Sequence, residues 1–149
     1  MNPRRLLLAA LLLPAACAVR THASGLLPEQ PPAPGFEADS LRPTLRWEAF
    51  APPADLAVSD ITYEVRLFTA DADLPENAFY ARTGLRDPRH TIETTLEPDR
   101  TYFWTVRARF RVDGRERHTQ WSGFARPDAR IALVPQPPPA YFPLRTPRP

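Results

Sequence analysis

One cysteine, three histidines and a short run of carboxylates are the side chains in this 149-residue chain whose types suit chemistry. A nucleophilic or metal-binding Cys17 would need a histidine or a second thiol at ligand spacing. His22, His90 and His118 fall in three separate segments, none of them at such a distance from another histidine or from Cys17. Asp71-Ala72-Asp73-Leu74-Pro75-Glu76 gathers three carboxylates in one expected loop, which invites a calcium reading. It lacks the glycine and the later glutamate of a hand-type calcium loop, and Asp beside Pro is ordinary turn chemistry, so a solvated acidic turn is expected. With only five glycines there is no phosphate-cradling loop and no nucleophile elbow. These residues point away from an enzyme, and they call for no cofactor and no metal.

The position of Cys17 says more than its type. Arg4 and Arg5 precede an apolar run over residues 6–13, which leads into Pro14-Ala15-Ala16-Cys17. A basic head, an apolar middle and a small-residue exit is the grammar of an export leader. The run is far shorter than the roughly 17–25 residues that span a bilayer. The only cysteine of the chain, placed at the leader's exit, resembles the acylated cysteine of a bacterial lipoprotein, although the position three before it is Pro14 where leucine is usual. That resemblance implies a membrane anchor at Cys17, and Ala18 after it is compatible with delivery to the outer membrane. Ala16-Cys17-Ala18 also satisfies an A-x-A cleavage site, which would give a periplasmic or secreted domain instead. Either way no disulfide forms within the mature chain.

All 19 basic residues are arginine, the imprint of a GC-rich genome. Removing the leader leaves 17 arginines against 17 acidic residues, so the mature chain is close to neutral. Nucleic-acid binding therefore has no electrostatic footing.

Composition divides the chain into a leader (1–17), a proline-rich spacer (18–40), one domain (41–134) and a proline-rich tail (135–149). Within the domain, apolar residues recur at period two. Leu45 and Trp47 mark one strand; Ile61, Tyr63, Val65 and Leu67 mark another, with Thr62, Glu64 and Arg66 on the wet side and Phe68 breaking the alternation. Phe79 and Tyr80 suggest a third, and His90, Ile92 and Thr94 a fourth. The clearest runs through Tyr102, Trp104, Val106, Ala108 and Phe110, with Thr105, Arg107, Arg109 and Arg111 facing the other way. Asp113-Gly114 supplies a hairpin turn, Trp121 and Phe124 lie on the return, and Ile131 and Leu133 close the domain. About seven short strands without a helix predict an all-β, two-sheet, immunoglobulin-like sandwich.

This stretch resembles a fibronectin type III domain. Leu96-Glu97-Pro98-Asp99-Arg100-Thr101-Tyr102 carries the spacing of that family's tyrosine corner. The resemblance implies that the Tyr102 hydroxyl bonds back to the preceding connection, that Leu96 plugs the end of the core, and that Trp47 and Trp104 are core residues. Thr119-Gln120-Trp121-Ser122-Gly123 is similar to half of the tryptophan-serine motif of cytokine-receptor domains. It implies a cation–π ladder in which Arg107 and Arg109 stack on Trp121. The expected role is non-catalytic: a lipid-anchored module presented to an envelope protein or glycan. The competing expectation is a secreted carbohydrate-binding accessory domain, which would need Tyr80, Phe103 and Trp121 in one exposed coplanar row. The tail around Tyr141 and Phe142 is expected either as a disordered end, as a strand docking on the sandwich, or as a peptide ligand for an aromatic groove.

Overall fold

The computed structural model describes residues 23–29, 37–72, 76–124 and 141–149. Among them are nine strands and no helix: β1 (Ala23–Ser24), β2 (Thr44–Arg46), β3 (Val58–Thr69), β4 (Tyr80–Leu85), β5 (Arg89–Thr91), β6 (Thr101–Val112), β7 (Arg115–His118), β8 (Gly123–Phe124) and β9 (Phe142–Arg145). Seven of them form two antiparallel sheets. One is five-stranded, in the order β4-β3-β6-β7 with β9 also on β6; the other pairs β2 with β5. The two-residue strands β1 and β8 pair separately.

The large sheet grows from its two longest strands. Tyr63, Val65 and Leu67 on β3 stand opposite Ala108, Val106 and Trp104 on β6. Directly opposed residues share a face, so the two alternations reinforce each other and one face becomes continuous apolar surface. Leu45, Trp47, Ile92 and Leu96 come from the β2–β5 side and fill the space beneath it, with all these residues buried in a single cluster. Trp47 is wholly enclosed and meets the Tyr63 ring edge-on at 5.5 Å. Its indole N–H has no hydrogen-bond acceptor, leaving aromatic packing as its environment.

Three tyrosines bring hydroxyls into this core, and each hydroxyl takes a main-chain N–H from a connection. Tyr63 accepts from Phe50 at 3.1 Å, Tyr80 from Glu93 at 3.3 Å and Tyr102 from Glu97 at 3.2 Å. A buried phenol needs such a partner. Here the partner is a loop, so the rings that fill the core also pin its connections.

Turn chemistry sets the register. Asp113 and Gly114 both have positive φ, 49° and 73°, as a two-residue hairpin of the type I′ kind requires, and they join β6 to β7 with Val112 opposite Arg115. Gly84, at φ 73°, lies where β4 carries one residue more than β3 between Val65 and Tyr63. That bulge twists the outer edge of β4. The opposite edge is β7, whose Arg115, Glu116, Arg117 and His118 are all exposed, a charged border that discourages further pairing.

Both proline-rich segments lie along the sandwich where they are described. In the spacer, Ala23 and Ser24 pair with Phe124 and Gly123, Pro28 bridges to Trp47, and Leu26 and Ala38 are buried. In the tail, β9 pairs Phe142, Pro143, Leu144 and Arg145 with Trp104, Phe103, Tyr102 and Thr101, and Phe142 and Leu144 enter the core. Of the three expectations for the tail, the docked strand is the one that forms over residues 142–145. Proline removes only its own N–H, which an edge strand can spare, and neighbouring residues keep theirs. Phe79, grouped with Tyr80 as a strand residue, precedes β4 and is 49% exposed. Phe68, where the alternation fails, is buried on the other face of the sheet under Tyr141, ring centroids 5.1 Å apart. Ile131 and Leu133 lie outside the described residues.

Candidate functional site: a tryptophan clasped by two arginines

The outward face of the large sheet carries the most organised set of polar side chains. β6 pairs with β3 from Tyr102 to Val112, with one irregularity near Phe110, but its other edge is shared. β9 takes the first four residues and β7 the last four. Residues 119–122 bridge the gap without being a regular strand. Main-chain N–H groups of Thr119 and Ser122 donate to Ala108 O and Val106 O, both at 2.9 Å. The returning bonds use hydroxyls: Ala108 N–H donates to Thr119 Oγ1 at 3.0 Å and Val106 N–H to Ser122 Oγ at 3.0 Å. Thr105 Oγ1 closes the set by donating to Ser122 O at 2.6 Å. Side-chain oxygens thus stand in for two carbonyls, and every donor of this buried stretch of β6 is matched.

The Trp121 ring lies on the outward face within cation–π reach of two guanidinium groups. Arg107 lies 4.4 Å from its ring centroid and Arg66 4.7 Å. Both arginines also bind Glu64, which is only 4% exposed. Glu64 Oε2 accepts from Arg107 Nε at 2.8 Å, and Oε1 accepts from Arg66 Nε at 3.2 Å and Nη2 at 3.0 Å. The carboxylate sits directly across β3–β6 from Arg107, and Arg66 is two residues along the same face. One buried carboxylate thus holds both guanidiniums in place against the indole.

The expected ladder is therefore redistributed. Arg107 is in it, Arg66 joins it, and Arg109 is elsewhere: its Nε and Nη2 both donate to Glu116 Oε1 across the β6–β7 hairpin. That hydrogen bond holds the Glu116 carboxyl below its usual range. Arg109 lines a separate open depression of about 370 Å³ with Asp60, Thr62, Phe110, Arg111 and Glu116. Strand alternation alone places Glu64 and Arg66 on the wet side and says no more of them. The signal that would have found them is the antiparallel register, which puts an i, i+2 Glu–Arg pair opposite Arg107.

The remaining sequence-derived residues are placed as follows. Tyr102 receives the Glu97 N–H, and Leu96 is buried beside it. Trp104 packs 5.5 Å from Phe142 and 6.5 Å from Trp47. Tyr80 faces the core opposite Leu67, whereas Phe103 lies opposite Phe68 on the other face. Tyr80, Phe103 and Trp121 thus make no common row. Among the described residues no three His, Cys, Asp or Glu side chains converge as metal ligands. Cys17, His22 and Asp73 lie outside the described residues.

No protein-family model matches the chain, and searches of curated proteins and of solved structures find no match either. What the strands and this face define is a small all-β domain of antiparallel strands.

Proposed function

We propose that this chain is an exported lipoprotein, acylated at Cys17 and held at the outer membrane, that presents a fibronectin type III-like module to another component of the cell envelope without catalysis. The strand order is the observation that carries the reading of the module. The placement of β2 with β5 in one sheet and of β3, β6 and β7 side by side in the other supports the reading, since immunoglobulin-like sandwiches group strands B–E and C–F–G in this way. The bond from Glu97 N–H to the Tyr102 hydroxyl supports it, at the place where such a domain has its tyrosine corner.

On this reading the tether is short. β1 begins at Ala23, so only residues 18–22 separate the acylated residue from the first strand. Fully extended, that length reaches about 20 Å. The module works close against its membrane, and its Trp121 face is stiffened by paired charges.

Intact-mass spectrometry of the protein from a Gram-negative host, beside Cys17→Ser, tests the anchor. A mature chain starting at Cys17 with diacylglycerol and acyl mass, absent from the variant, is the expected result. An unmodified chain starting near Val19 overturns the anchored reading.

A further inference from the structure

We propose that Tyr80, His90, Arg82 and Glu93 form a latch between the two sheets that opens when His90 takes up a proton, loosening edge strand β4. The argument starts from the open side of the sandwich. β4 borders the large sheet, β5 belongs to the small one, and no ladder joins them. Side chains make the connection instead. The Tyr80 hydroxyl lies 2.7 Å from His90 Nε2 and accepts the Glu93 main-chain N–H at 3.3 Å. Arg82 pairs with Glu93 through two nitrogens, and its guanidinium lies 5.1 Å from the Tyr80 ring centroid. The Tyr80 and His90 rings stack at 5.9 Å.

Tyr80 Oη accepts the Glu93 N–H and has one proton of its own to give; the arrangement that matches every group directs that proton at His90 Nε2 as acceptor. Only neutral imidazole has an acceptor nitrogen. A protonated ring turns N–H against a hydroxyl that is already receiving a donor, and the phenol proton loses its partner.

The surroundings favour the neutral ring. His90 stands opposite Leu45 of β2 and shares its inward face, while Arg46 and Arg89 pair on the outward one. The charged groups that act on His90 are Glu93 and Arg82, opposite in sign and already bound to each other. Burial is the first cause holding the His90 pKa below its ordinary 6.5, Glu93 opposes it, and Arg82 adds to it. The closed form therefore binds fewer protons than the open one. Its stability is full above pH 6.5 and declines as pH falls from there through the lowered pKa.

Hydrogen exchange of the full chain at pH 7.5 and pH 5, corrected for intrinsic rates, tests the latch. Protection of the β4 amides should fall roughly three- to tenfold at pH 5 relative to β6. In His90→Gln, which keeps a side-chain acceptor and cannot titrate, that pH dependence should vanish. Equal loss of β4 protection in His90→Gln, or none in the parent, overturns the proposal. So does an NMR titration placing the His90 pKa at or above 6.5, a readout that needs no variant to fold.

Discussion

Replacing Thr146 by valine isolates what the C-terminal strand contributes. The side chain is 1% exposed, and its hydroxyl accepts the Arg100 N–H at 2.9 Å while donating to Glu97 O at 2.6 Å. Valine has nearly the same shape, so packing is preserved and only the two bonds are lost. One main-chain donor and one acceptor in the turn before β6 lose their partner. A partly buried group left unmatched costs about 1–3 kcal/mol. Arg100 itself is exposed, so water can reach part of its backbone, and about 2 kcal/mol is expected for the pair. The Thr146 N–H keeps its own bond to Arg100 O at 2.9 Å, so the strand is weakened rather than released. For a domain of this size the midpoint of thermal unfolding should drop by about 8–10 °C. Urea denaturation followed by tryptophan emission gives the free energy, with Thr44→Val as the comparison. Thr44 also makes a hydroxyl bond, to Thr91 at 2.8 Å, but at the exposed edge of β2, where loss should cost under about 0.5 kcal/mol. If Thr146→Val and Thr44→Val shift the curve equally, β9 is not docked as described and the reasoning fails.

Two further perturbations probe the spacer and the arginine clasp. Gly25→Ala should cost about 1–2 kcal/mol and make the chain before Leu26 a preferred protease site, because φ is +83° there and an added Cβ would lie 2.7 Å from the Ser122 Cα; unchanged cleavage would show that β1 is not held against β8. Trp121→Ala removes two guanidinium contacts and should cost about 1–3 kcal/mol, whereas Arg109→Ala, which loses an ion pair to the exposed Glu116, should cost under about 1 kcal/mol. Chemical denaturation of both variants decides it, and equal losses would count against the Arg66–Trp121–Arg107 arrangement.

The parts of the fold visible in the sequence are those whose stability is local in pattern. β3 and β6 alternate because each has one face in the core, and Asp113-Gly114 names its turn because both residues must take positive φ. Leu96 and Tyr102 share a fixed spacing across one turn. The rest depends on partners distant along the chain. Glu64 looks like any solvent-facing residue until Arg107 is placed opposite and Arg66 beside it. Choosing Arg109 for the ladder followed the strand's alternation correctly but could not foresee that the hairpin would offer Glu116. β9 is hidden because Pro143 occupies its centre, and proline argues against a strand everywhere except on an edge such as this one. Composition marks residues 135–149 as extended, and extended chain is what an edge strand is made from.

The division of one edge of β6 between β7 and β9 also sets a timetable for folding. β7 follows β6 by a two-residue turn and can pair as soon as both are made. The other half of that edge waits for residues 142–145, and the bed beneath Trp104 stays open until Phe142 and Leu144 arrive. A chain emerging from the ribosome therefore carries an incomplete core until residues 142–145 are made, and these contacts close across about forty residues of chain. On the exported reading proposed above, such a delay would keep the polypeptide threadable through a narrow translocation channel until it had been committed to crossing.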